Sequence, residues 1–201
     1  MAADDWYRNT EWNEEIEGEF FAKLKRARSQ RDQYLVIQAS TLVKRHPKIS
    51  LRLVEEYFES RRDKFDDVRA LLARAEALLE LGEIDDAMQA FRSVLAREEE
   101  FSNHQTGAYV DYPYIVATRG IEKEYESAME VLRRHVDRLT FPLDHFQWHA
   151  AKALIKNDGE HASRALEAAK VRKSGFRFHQ NVGLVGKEHA ITIKRLLKIS
   201  T

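Results

Sequence analysis

The sequence predicts an all-α protein of antiparallel helical hairpins stacked side by side, with about nine or ten helices. Three observations carry this. Only three prolines and eight glycines punctuate 201 residues, so long uninterrupted elements are expected. Apolar residues recur at three- and four-residue spacing, and no strand-like alternation persists outside the tract 173–186. The stretch ALLARAEALLELGEIDDAMQAFRSVL, Ala70 to Leu95, reads as two apolar helices parted by one glycine.

The first helix is expected after Asn13, a good N-cap, with Glu14, Glu15 and Glu17 at the positive end of its dipole and Ile16, Phe20, Phe21 and Leu24 on its inner face. A second runs from Asp32 to Arg45 with Leu35, Ala39, Leu42 and Val43 inward. It stops before Pro47, because the residue preceding a proline disfavours helical geometry. Pro47 then suits the first turn of a third helix, to Ser60. Asp66 and Asp67 open a fourth, which Gly82 ends, and the fifth runs from Ile84 to Arg97. A sixth, 106–118, is expected to kink near Pro113. A seventh spans 122–138 and is stopped by TFPLD; an eighth spans 145–156 and a ninth 160–172. A glycine-containing loop, Gly175 to Gly186, precedes a last helix over 187–197.

Leu71, Ala75 and Leu78 share one face of the fourth helix, and Ala87, Phe91 and Val94 one face of the fifth. Small residues at the crossing let two backbones approach closely, and Gly82 allows the left-handed turn between them. With Leu71, Ala75, Leu78, Gly82, EIDDA ending at Ala87, Phe91 and Val94, the stretch resembles a tetratricopeptide repeat, a unit of about 34 residues. It departs at Glu98–Glu100, where the family has proline, and at Arg74, where the family favours leucine. Echoes occur upstream at Leu35, Ala39, Leu42, Leu53 and Tyr57, and downstream in KEYESAMEVL and DGEHASRALEAA. The resemblance covers roughly 33–172 and is strongest over 66–99. It implies one domain of degenerate repeats, with a capping helix within 1–32 and a loop and capping helix within 173–201.

The resemblance further implies a non-catalytic scaffold that takes a protein or peptide in a concave groove lined by the first helix of each hairpin. The groove residues would be Gln33, Val36, Ser40 and Lys44 from one unit, and Arg69, Leu72, Glu76, Leu79 and Glu80 from the next. The family's basic-and-asparagine clamp for C-terminal carboxylates is not evident. Tyr109 and Tyr112, in a tyrosine-rich stretch, are candidate anchors for the partner or half-buried helix residues. A homodimer is a further expectation.

Composition excludes several classes. With no cysteine there is no disulfide, thiolate metal site or cysteine nucleophile. Thirty-three basic and thirty-three acidic residues cancel, which gives no support for bulk binding to nucleic acid or an anionic membrane. The acidic N-terminal stretch has no basic start or apolar core of a signal peptide, and no run reaches the ~20 apolar residues of a membrane span, so a cytoplasmic location is expected. No cofactor or metal is expected. Two alternatives stand beside the scaffold reading. One is an immunity or inhibitor protein blocking a toxin, oriented by its charged patches. The other is a metal-dependent enzyme using His145 and His149, four apart on one helix face, with His135 and Asp144 as further ligands. The tract SGFRFHQNVGLVG is either an anion or peptide contact or a loop whose aromatics plug the helical stack.

Overall fold

A computed structural model describes residues 5–200, which leaves the first four residues of the acidic N-terminal stretch and Thr201 outside the described residues. Ten α-helices, and no strand, form the regular structure among the described residues, joined by short 3-10 segments. In chain order they are α1 (Glu14–Leu24), α2 (Arg31–Leu42), α3 (Pro47–Ser60), α4 (Asp67–Leu81), α5 (Ile84–Glu100), α6 (Ala108–Arg119), α7 (Tyr125–Arg134), α8 (Pro142–Lys156), α9 (Gly159–Lys170) and α10 (Ala190–Ile199). The fold is all-α with neighbouring helices packed as pairs, and it divides into two compact units, one through Ala108 and one from Tyr109.

In the first unit α2 pairs with α3 and α4 with α5; α3 also packs on α4, and α2 touches it. Phe20, Leu24, Leu35, Leu42, Leu53 and Tyr57 form the core between them, with Ala70 and Ala73. Asn13 caps α1 as expected, its side chain accepting from the Ile16 N–H at 2.9 Å. Gly82 takes φ +78°, and the Glu83 N–H closes back on the Leu78 carbonyl at 2.9 Å. Ala75 and Ala87 are both fully buried, as a close α4–α5 approach requires. The segment before α1 is built into the unit as well: Trp6 and Trp12 lie against Phe20, and Tyr7 stacks on Tyr34. Asn9 and the buried Gln38 exchange hydrogen bonds, Asn9 N–H to Gln38 Oε1 at 3.0 Å and Gln38 Nε2 to the Asn9 carbonyl at 2.7 Å.

A buried charge ties α3, α4 and α5 together. Asp67 is wholly inaccessible; it accepts from the Tyr57 hydroxyl at 2.9 Å and lies 3.2 Å from Arg61 Nε and 3.4 Å from Arg97 Nη2. Burial, and then the Asp67 bond, hold the Tyr57 phenol far above its ordinary pKa. Glu98 similarly accepts from both the N–H and the hydroxyl of Thr106.

The second unit is built on the α8–α9 hairpin, with α10 against both and α7 along α8. Phe146, Ala150, Ala153, Ala162, Ala165 and Leu196 form its core. Asn157, at φ 53°, ends α8 in the left-handed conformation that Gly82 supplies to α4.

Several boundaries differ from expectation, three of them informatively. α2 ends at Leu42, three residues early, and the chain passes through a turn to His46, which the following Pro47 holds out of helical geometry at φ −134°. The tract TFPLD starts α8 instead of stopping α7: Pro142 occupies the first helical turn, and Asp144 accepts from the N–H groups of Thr140 and Phe141. The expected 122–138 helix is three pieces, 3-10 turns at Glu122–Glu124 and Val136–Arg138 flanking α7, with His135 outside helical angles.

Two substitutions test this packing. Ala87→Leu should overpack the α4–α5 contact and cost about 1–3 kcal/mol, read by denaturant unfolding. Tyr57→Phe should cost about 1–3 kcal/mol by leaving an Asp67 oxygen without its donor. Unchanged unfolding midpoints would contradict both contacts.

Candidate functional site

The structure sorts the expected groove residues into two groups. Ser40, Lys44, Arg69 and Glu80 are exposed, while Gln33, Leu72, Glu76 and Leu79 are partly buried. These eight lie on α2 and α4 or, for Lys44, in the turn after α2; the two helices touch. Val36, Tyr109 and Tyr112 do not belong with them. Val36 is part of the first unit's core, and the two tyrosines are buried. Side chains this buried have little surface to offer a partner, and all three pack within their own units.

The tyrosines of α6 serve the second unit instead. Tyr109 donates to the Arg138 carbonyl at 3.0 Å, Tyr112 to Glu124 at 2.8 Å, and Tyr114 to Thr192 at 2.9 Å, with His189 Nδ1 2.8 Å from the same hydroxyl. Asp111 accepts from Gln147 at 2.9 Å. Burial pushes the Asp111 carboxyl up to about 6, against the lowering effect of the Gln147 bond, and the nearby Asp144 charge adds to the rise.

The histidine pairing also departs from the sequence expectation. His149 faces His161 across the α8–α9 hairpin, with the two Nδ1 atoms 3.1 Å apart, so one ring donates to the other. Trp148 abuts both rings edge-on. Burial pushes His149 down to about 4, with further lowering from His161, Arg164, His145 and Lys152. The further ligands envisaged are engaged elsewhere: Asp144 accepts from the Thr140 and Phe141 N–H groups, and the His135 ring lies against Tyr109. Among the described residues, no group of three or more His, Asp or Glu side chains is gathered to hold a metal ion. Neither paired ring is hydrogen-bonded to a carboxylate or hydroxyl among the described residues.

A further concavity lies where the sequence predicts no site. An open groove of about 1170 Å³ runs between α7 and α8. Its apolar side chains are Met129, Leu132, Val136, Trp148 and Ile155. The Trp148 indole N–H donates to the Leu132 carbonyl at 2.9 Å, which fixes the ring, and Lys152 Nζ lies 4.2 Å from the ring centre. Lys123, Arg133 and Lys156 share the rim with Glu126 and Glu130. The arrangement offers an apolar strip between charges of both signs, with polar atoms to orient a bound segment.

The chain matches no protein-family model, no curated protein and no solved structure.

The two shifted groups act oppositely on stability. His149 titrates near 4 in the fold and near 6.5 unfolded, so its stabilising contribution is present above about pH 6.5 and lost as pH falls towards 4. Asp111 has a raised folded pKa, so its contribution is present below about pH 4 and lost as pH rises through 6. Asp111→Asn should therefore raise stability at pH 7–8 by about 1–2 kcal/mol, with the gain vanishing by pH 4. His149→Gln should flatten the loss between pH 6.5 and 4. Thermal unfolding across pH 4–8 measures both, and parallel profiles for wild type and variants would refute them.

Proposed function

We propose that the protein is a non-catalytic scaffold that binds a protein or peptide segment. The observation that carries this is the α7–α8 groove, with its fixed tryptophan and its mixed-charge rim. At about 1170 Å³ and open to solvent, it exceeds the volume most small-molecule sites enclose. An amphipathic segment would set its apolar side chains against Met129, Trp148 and Ile155 and its charges against the rim. A groove that is already shaped spares the complex part of the ordering cost of association.

The tetratricopeptide-like reading supports the same class of function. In the first unit two hairpins stack with α2 beside α4, the order in which such repeats place the helices of their concave face. The mixed charges of Lys44, Arg69 and Glu80 there offer a second face for recognition.

The test is selection of binding peptides from a displayed random library on the purified protein. Ile155→Glu and Met129→Glu should weaken the selected peptides at least tenfold, while Lys44→Glu with Glu80→Lys reports on the other face. Fluorescence anisotropy reads the affinities, with circular dichroism as the folding control. Selected peptides that ignore both sets of substitutions would sink the proposal.

A further inference from the structure

The loop between α9 and α10 carries charge out of keeping with the chain. From Val171 to Gly186 it holds Arg172, Lys173 and Arg177 and no Asp or Glu, in a protein whose formal charges sum to zero. Arg172, Lys173 and Arg177 are exposed and take part in none of the ion pairs among the described residues. Lys170, by contrast, pairs with Glu167 at 2.6 Å.

The loop is also held in shape. Ser174 is buried; its N–H donates to the Gln180 carbonyl and its hydroxyl to the His179 carbonyl, each at 2.8 Å. The far end is fastened to the start of α8, where the Leu143 N–H donates to the Gly183 carbonyl at 2.8 Å. Gly183 has φ +69° and lies on the Phe141 ring, so an added Cβ would meet ring atoms at 2.3 Å. Phe176 stacks on the same ring, with centroids 5.0 Å apart.

What the loop presents is an aromatic with no role in its own core. Phe178 is 82% exposed, and the Arg177 guanidinium lies 5.3 Å from its ring centre. Val182 is half exposed on the same loop. The sequence offers two uses for this tract, a contact or an aromatic plug of the fold; Phe176 stacks on Phe141 while staying 43% exposed, and Phe178 faces water. A shaped loop that exposes phenylalanine beside arginine has the composition of an interface hot spot, where rigidity lowers the entropy lost on docking.

We infer that residues 172–182 are a projecting contact that inserts Phe178 into an acidic, apolar-floored pocket on another protein. Arg172, Lys173 and Arg177 pair with the carboxylates at the pocket's rim. The balanced charge of the chain favours a protein over a nucleic acid or an anionic membrane, because both polyanions draw on charge spread over a wide surface. The inference is independent of the α7–α8 groove, since the loop offers a convex contact and the groove a concave one.

The experiment places the photo-crosslinking amino acid p-benzoylphenylalanine at position 178 of the full chain, in cells that express it natively. The expected result is a protein adduct whose crosslinked peptide lies beside an Asp/Glu cluster. Lys173→Glu with Arg177→Glu should cut the yield at least tenfold without shifting the melting temperature. Reversing the mapped partner carboxylates to lysine should restore it. Gly183→Val, which unpins the loop and leaves its charge, should also lower the yield, whereas Ile155→Glu in the groove should not. A nuclease-sensitive adduct, a lipid adduct, no adduct above that of an exposed control position at Glu160, or an adduct indifferent to charge reversal each overturns the inference.

Discussion

Close approach of paired helices through alanine is the constraint on which this architecture rests. Ala73, Ala75 and Ala77 on α4 and Ala87 and Ala90 on α5 are buried, as are Ala150, Ala153, Ala162 and Ala165 on α8 and α9. A methyl group lets two backbones come near but removes little apolar surface from water, so each pair depends on a few large neighbours to complete its core. Phe91 does this beside α4, and Phe146 and Leu196 do it in the second unit. Both units also bury polar groups, most of them held by hydrogen bonds or ion pairs.

Those polar groups decide which helix meets which. Dispersion contacts are tolerant of register, whereas a buried hydroxyl or carboxylate needs its partner at hydrogen-bond distance. Tyr57, Asp67 and Arg97 align α3, α4 and α5 in this way. The hydroxyls of Tyr109, Tyr112 and Tyr114 fix α6 against the chain segments that follow it. The two surfaces argued to be functional differ in kind: the groove has its tryptophan fixed by the Leu132 carbonyl, and the basic loop turns Phe178 away from its own fold.

Features that depend on a few adjacent residues were readable from the sequence. Asn13 as a cap, Pro47 in a first turn and Gly82 as a left-handed stop all carry their reason within one turn of chain. The alanine pattern revealed a hairpin for a similar reason, since it repeats at helical spacing. Pro142 was misread because proline before a helix and proline after one look alike until Asp144 is seen bonding backwards. The tyrosines and the histidine pair were illegible for a different reason. Whether Tyr112 meets water or Glu124, and whether His149 meets His145 or His161, is settled by residues twelve positions away that no periodicity marks. The groove is harder still, being a space lined jointly by α7 and α8. The charge of the Gly175–Gly186 loop was visible in the sequence, but the outward orientation of Phe178 was not.

The wholly enclosed Asp67 has a bearing on how this protein can drift in sequence. Removing one of Tyr57, Arg61 or Arg97 takes a partner from an enclosed carboxylate, whereas replacing the group together by well-packed hydrocarbon is often neutral. Single steps away from the present arrangement therefore pass through a weakened fold. Descendants of the chain should keep the set intact or exchange it wholesale, so these positions, spread over some forty residues, behave as one inherited character.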